Sequence, residues 1–97
     1  MTIVEIRAFQ KDKKSLVKDS NFSFEILDKQ IQRFKTDTTH PSLEFKHITC
    51  KRNKNRYSIR ITLNYRIIMD KISDTEFHFM RLVNHKEYDR LIKANNC

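Results

Sequence analysis

The sequence predicts an α+β domain: an N-terminal strand, a helical hairpin, then a four-stranded antiparallel meander. Three observations carry this expectation. Phe24, Leu27, Ile31 and Phe34 fall at i, i+3, i+7 and i+10, which draws one apolar stripe on a helix. After Pro41 the apolar spacing drops to two and stays there. No linker, repeat or low-complexity block interrupts the 97 residues, so they read as a single domain, 1–97, with one modest core.

The elements follow in order. Ile3, Val4 and Ile6 alternate loosely and predict a strand over residues 2–7. Phe9, Leu16 and Val17 sit at helical spacing among Lys and Asp, and Asp19-Ser20-Asn21 then punctuates the chain. The stripe from Phe24 to Phe34 makes the second helix of the hairpin. Residues 36–41 read as a loop, because the residue before a proline is pushed out of the helical region. Leu43 and Phe45 alternate with Glu44 and Lys46 and predict the first strand of the meander. A polar basic turn occupies residues 51–56. Tyr57, Ile59 and Ile61 then alternate with Ser58, Arg60 and Thr62, and Tyr65, Ile67 and Met69 with Arg66, Ile68 and Asp70. Ser73-Asp74-Thr75 is a short turn, and residues 77–83 are apolar enough for a strand inside the sheet. Residues 84–92 end the chain as a loop or short helix.

One register bears on function. With Thr62-Leu63-Asn64 as a three-residue loop, Ile61 pairs with Tyr65 and Arg60 with Arg66. Ile59, Ile61, Tyr65 and Ile67 then face the helices, and the two arginines stand together on the opposite face. A two-residue loop would drive Arg66 into the core, which burial of a charge makes far costlier. Such a loop calls for a left-handed residue, and Asn64 is the one that tolerates it.

Lys and Arg total 20 against 12 acidic residues, a formal net charge of +8, which points to a polyanionic or acidic partner. The chain has no glycine, which argues against phosphate loops of the P-loop or dinucleotide kind. Cys50 and Cys97 lack metal spacing and read as free thiols of a reducing, cytoplasmic compartment. Four scattered histidines suggest no metal site. The first residues turn polar at once, without the apolar stretch of a signal peptide or membrane span, so no membrane partner is expected.

Three segments carry a family resemblance. Tyr57-Ser58-Ile59-Arg60-Ile61 followed by Tyr65-Arg66-Ile67-Ile68 resembles the W-S-x-R-I…Y-R-I-I core of the RelE/ParE superfamily of toxins. His40-Pro41-Ser42-Leu43 is similar to the P-x-L segment that opens their meander, and Val83-Asn84-His85-Lys86-Glu87-Tyr88 to their V-G-x-H-x-x-Y ending. Each motif is short; all three in order, with the same length and helical hairpin, extend the resemblance over nearly the whole chain. It implies the toxin half of a toxin–antitoxin pair, neutralised by a cognate antitoxin protein. In the RelE/YafQ-like branch it further implies a ribosome-dependent endoribonuclease that stops translation. Its partners are mRNA and ribosomal RNA, and it needs neither metal nor small-molecule cofactor.

Residue by residue, the resemblance implies that Arg66 grips the scissile phosphate, that His85 is the C-terminal catalytic histidine of the YafQ-like branch and that His40 is the histidine before the proline. Arg60 matches the position before the turn. Cleavage by the messenger's own 2′-hydroxyl needs a base, positive charge on the phosphorane and an acid for the 5′-oxygen. Imidazole and guanidinium suit those tasks, so Arg66 is expected to be the clamp, His85 the acid and His40 the base. Arg60 either binds phosphate or joins the chemistry. Lys46, Lys51, Arg52, Lys54 and Arg56 would contact RNA phosphates, and Tyr88 either stacks on a base or packs its helix. His47 and His78 carry no expected role. The sequence departs from the pattern at Asn84, where glycine is usual, and at Asn64, where the YafQ-like branch is acidic. No glutamate matches the base of the YoeB branch, since Glu44 lies beyond the proline. Two other functions fit the same residues: a ParE-like DNA gyrase poison, and a basic nucleic-acid-binding module without catalysis.

Overall fold

The computed structural model describes residues 1–93. Strand β1 (Thr2–Glu5) leads into helices α1 (Arg7–Leu16) and α2 (Phe24–Thr36), and a single 3-10 turn follows at Pro41–Leu43. Strands β2 (Lys46–His47), β3 (Arg56–Arg60), β4 (Tyr65–Ser73) and β5 (Glu76–Asn84) form the meander, and α3 (His85–Lys93) closes it. The five strands lie in the order β1-β5-β4-β3-β2, with β1 parallel to β5 and every other pair antiparallel. This is the expected α+β architecture. The strand over residues 77–83 is interior, as its apolarity implied, because β1 covers its free edge.

One face of the sheet carries the main core. Phe9 of α1 and Leu27 and Phe34 of α2 pack on Ile59, Ile61, Ile67, Met69, Phe77 and Phe79. Phe34 sits edge-on to Phe77, ring centroids 5.0 Å apart, and Phe9 lies 5.3 Å from Phe79. The Ser23 hydroxyl starts α2 by accepting the Ile26 N–H at 3.2 Å. The opposite face holds a smaller cluster of Ile48, Ile68 and Val83, which α3 covers with Tyr88, Leu91 and Ile92. A register shift opposite Ile68 and Met69 breaks the two-residue period of β5. Phe77, Phe79 and Leu82 therefore all face the two N-terminal helices while Val83 turns to α3.

The pairing of β3 with β4 is the one that charge burial selects: Ile59 opposes Ile67 and Arg60 opposes Arg66. Three local expectations are corrected. Glu44, with φ 43°, is the sole positive-φ residue among those described, so Asn64 is not left-handed. The loop closes instead through Tyr65 O, which accepts the Ile61 and Thr62 N–H groups, and through Thr62 Oγ1, which accepts the Asn64 N–H at 3.2 Å. The meander also does not begin as a strand at Leu43. Pro41 opens a tight turn, so β2 shrinks to two residues. Leu43 and Phe45 still both reach the core; Phe45 stacks on Tyr57 at 4.9 Å. Cys50 is buried and disulfide-bonded, where linear spacing predicted a free thiol; Cys97 lies outside the described residues. Among the described residues, no helix is long and apolar enough to cross a membrane.

Asp12 ties α1 to β5 where β1 has ended. Its Oδ2 accepts the Leu82 main-chain N–H at 2.9 Å and Arg81 Nε at 2.8 Å. An unsatisfied, partly buried amide costs about 1–3 kcal/mol, whereas an exposed ion pair is worth about 0–1 kcal/mol. Asp12→Ala should therefore lower the unfolding free energy in urea by about 1–3 kcal/mol. Arg81→Ala should cost less, and Asp12→Asn should recover part of the loss, because its carbonyl still accepts from Leu82. Equal losses for Asp12→Ala and Arg81→Ala would assign the effect to the ion pair.

Candidate functional site

At the Arg60 end of β3 the sheet and α3 enclose a pocket of about 170 Å³. Lys46, Arg60 and Arg66 bring three cations to it from adjacent strands, and Glu44 brings one carboxylate. His85 and Tyr88 enter from α3, and Thr62 and Leu63 wall the turn side.

Arg66 is the best-held group. Only 7% of its surface is exposed, although it stands on the face away from the main core. Register places Ser58 on the same face, two residues before Arg60 on the neighbouring strand. Ser58 Oγ accepts from Arg66 Nε at 3.3 Å and from Nη2 at 3.1 Å. The Glu44 carbonyl accepts from Nη2 at 2.9 Å. The Tyr88 ring lies 5.2 Å from the guanidinium carbon, close enough for a cation–π contact. Ser58 Oγ lies 3.1 Å from the Tyr88 hydroxyl. Either hydroxyl can donate in this contact.

The Glu44 carboxylate accepts from Arg60 Nη1 at 2.6 Å and lies 3.5 Å from Lys46 Nζ. The Arg60 hydrogen bond, helped by the charges of Arg60 and Lys46 and opposed by burial, holds this carboxyl below the ordinary carboxylate range. His85 is the first residue of α3 and is 65% exposed at its side chain. Its backbone N–H donates to the Asn64 carbonyl at 2.7 Å, which fastens α3 to the β3–β4 turn. Its Nε2 lies 3.5 Å from Asp89 Oδ2, one turn further along. Asn84 Oδ1 caps this helix by accepting the Glu87 N–H at 2.8 Å, a use that glycine could not serve.

Of the residues singled out in the sequence, Lys46, Arg60, Arg66, His85 and Tyr88 therefore line one pocket. His40 does not line it. Its Nδ1 accepts the Ser42 N–H at 3.1 Å and starts the 3-10 turn, so its local task is to shape the segment that carries Glu44. Arg56 is committed elsewhere: its guanidinium pairs with Asp70, which Asn53 also contacts. Lys51, Arg52 and Lys54 are exposed in the β2–β3 loop, at the end of β3 away from Arg60, roughly 13 Å along a four-residue step. Tyr88 packs its helix, with its ring against the small cluster and Arg66, while keeping its hydroxyl at the pocket. Ser58 and Glu44 were not singled out. Ser58 had a signal, since it shares strand parity with Arg60. Glu44 shares strand parity with Lys46 but lies beyond the proline, where no base is expected; nothing in a strand reading turns its carbonyl toward Arg66. No group of three His, Cys, Asp or Glu among the described residues is placed to hold a metal ion.

A family model described as the ParE-like toxin domain matches residues 28–90, which span the pocket. No curated protein matches the chain. Among solved structures, a metal-bound toxin from Helicobacter pylori superposes with a TM-score of 0.72 at 21% identity, over 90% of this chain and 97% of that one. The YoeB/ParE toxin from Agrobacterium tumefaciens gives 0.68 at 15% identity, over 88% and 99%. The YafQ chain type is represented by the E. coli DinJ–YafQ complex, at 0.66 and 19% identity, over 88% and 93%. These likenesses establish a shared fold.

The Glu44–Arg60 pair gives a titration to measure. A carboxyl whose folded value is lowered keeps its charge, and its contribution to stability, until pH falls through that lowered value. Carbon-detected NMR of the Glu44 carboxyl should give a midpoint below that of an unpaired glutamate. In Arg60→Ala the midpoint should move back up, with burial, which raises it, and Lys46, which lowers it, left to act. An unchanged midpoint in that variant would mean that Arg60 is not the cause.

Proposed function

The chain belongs to the ParE-like toxin family, and from that premise we propose that it is the toxin of a toxin–antitoxin pair, an endoribonuclease that cuts messenger RNA on the ribosome. The observation that carries this reading is the immobilised Arg66. A guanidinium tied down by Ser58, Glu44 and Tyr88 still faces a pocket shared with Arg60, Lys46 and His85. Preorganised positive charge of this kind is what a phosphorane needs.

In the proposed reaction the messenger's 2′-oxygen bonds to the adjacent phosphorus as the bond to the 5′-oxygen breaks. The products are a 2′,3′-cyclic phosphate and a 5′-hydroxyl. Arg66 bears the charge of the phosphorane, and Arg60 binds phosphate beside it. His85, the imidazole in the pocket, gives its proton to the departing 5′-oxygen. His40, expected as the base, is outside the pocket, and the group there able to take the 2′-proton is Glu44. Its lowered basicity makes it a weak base, so most of the acceleration falls to Arg66 and to His85. Lys51, Arg52 and Lys54 would meet flanking RNA phosphates in this reading, and Arg56 only braces the sheet. The antitoxin is inferred by analogy with the E. coli neighbour, which is a toxin–antitoxin complex. It would lay an acidic or amphipathic segment across the helical hairpin or the pocket face.

The test is single-turnover cleavage of messenger on programmed ribosomes, with folding checked by circular dichroism. Arg66→Ala should cost about 100- to 1000-fold in rate. His85→Ala should cost roughly 100- to 10000-fold. Arg66→Lys should not rescue, because an ammonium lacks the planar fork. Arg60→Ala and Lys54→Ala should mainly weaken binding and flatten its salt dependence. Wild-type rates in folded Arg66→Ala and His85→Ala would remove this site assignment. On induction in cells, protein synthesis should stop before DNA synthesis; the reverse order would favour the gyrase poison.

A further inference from the structure

The chain contains no glycine, so any left-handed backbone position must be held by a residue with a side chain. One described residue takes that conformation: Glu44, at φ 43° and ψ 53°. Glutamate is not among the residues that favour this region, and such a conformation persists only where its surroundings over-determine it. Here the flanks do so. Leu43 is fully buried on one side and Phe45 is stacked on Tyr57 on the other. The Glu44 N–H also closes the 3-10 turn on the Pro41 carbonyl at 3.3 Å.

The conformation has a geometric consequence. In a pleated strand the side chain stands off the sheet while the carbonyl lies within it, so one residue does not present both to the same face. The left-handed bend turns the Glu44 carbonyl out of that plane. Its oxygen reaches Arg66 Nη2 at 2.9 Å, while its carboxylate reaches Arg60 Nη1 at 2.6 Å. Both arginines of the pocket are therefore held by one residue, through two different groups.

We infer that Glu44 is a positioning residue whose left-handed backbone sets the placement of Arg66 through its carbonyl, separately from what its carboxylate does to Arg60. This rests on the nuclease reading for its kinetic consequence, though not for its structural one. The carbonyl arm survives any substitution that keeps the backbone, and the carboxylate arm survives none that removes the acid.

Glu44→Gly and Glu44→Val separate the two arms, because both delete the carboxylate. Glycine takes the left-handed region freely, and a β-branched residue there is an outlier. In the ligand-free protein, the Arg66 Nη2–H resonance, whose partner is the Glu44 carbonyl, should remain dispersed and slowly exchanging in wild type and in Glu44→Gly. In Glu44→Val it should collapse toward the exposed arginine signals. In single-turnover cleavage, Glu44→Val should be slower than Glu44→Gly by about tenfold at saturating messenger-programmed ribosomes. The concentration for half-saturation should be alike in the two. If Glu44→Val does not fold, Glu44→Ala replaces it, with a smaller gap in the same direction. Matching Arg66 resonances and matching rates in the Gly variant and its β-branched or alanine counterpart would overturn the inference. Should the wild-type protein cut no messenger, the nuclease reading fails, and the resonance comparison alone decides whether the backbone of Glu44 positions Arg66.

Discussion

A guanidinium with almost no access to water must find partners for its N–H groups within the protein, and Arg66 is such a group. Its neighbours come from three parts of the chain with no sequence continuity. Ser58 arrives through strand pairing, the Glu44 carbonyl through a left-handed bend after a 3-10 turn, and the Tyr88 ring through the final helix. Each is also held for a separate reason: Ser58 by burial inside β3, Glu44 by its core-packed flanks, Tyr88 by the small cluster on Ile68 and Val83. The charge is placed before any ligand arrives, which is the state in which an electrostatic site costs least to use.

The two-sided sheet makes that arrangement possible. The aromatic core of Phe9, Phe34, Phe77 and Phe79 secures one face against α1 and α2. The other face stays open enough at the Arg60 end to leave a pocket, and α3 covers only part of it. The register shift in β5 lets one strand serve both layers, turning Leu82 to the helices and Val83 to α3. His85 begins α3 because the strand hands over to the helix at Asn84, whose side chain caps it. The main-chain bond from His85 to Asn64 fixes that helix start against the turn that walls the pocket.

The net charge of +8 does not translate into a uniform RNA-binding surface. Arg56 is spent on Asp70 and Arg81 on Asp12, both bracing the sheet, and Arg33 reaches Ser42 and Gln30 beneath the turn that carries Glu44. Lys51, Arg52 and Lys54 keep their side chains in solvent on a loop beyond the far end of β3. The cationic character at the pocket comes from Lys46, Arg60 and Arg66, with Glu44 set among them.

Local periodicity was enough to determine the α+β class, the helical hairpin, the meander and the Arg60–Arg66 register. Apolar spacing dictates which face packs on α1 and α2, and the cost of a charge among those apolar side chains leaves one pairing. That Arg66 is buried on the other face too, under Tyr88, was not legible. The convergence of those arginines with His85 and Tyr88 was legible through family resemblance. Three things were decided only in the tertiary structure. Arg56 is drawn away to Asp70 on the neighbouring strand, and His40 turns onto Ser42 because Pro41 opens a 3-10 turn there. Cys50 is disulfide-bonded, which its spacing did not announce. Glu44 joins the pocket because Pro41 forces a turn where alternation promised a strand, and the bend that follows swings its carbonyl and carboxylate toward two different arginines. Hydrophobic pattern reports which side chains seek the core; it carries no information on how a polar backbone atom is turned once they are there.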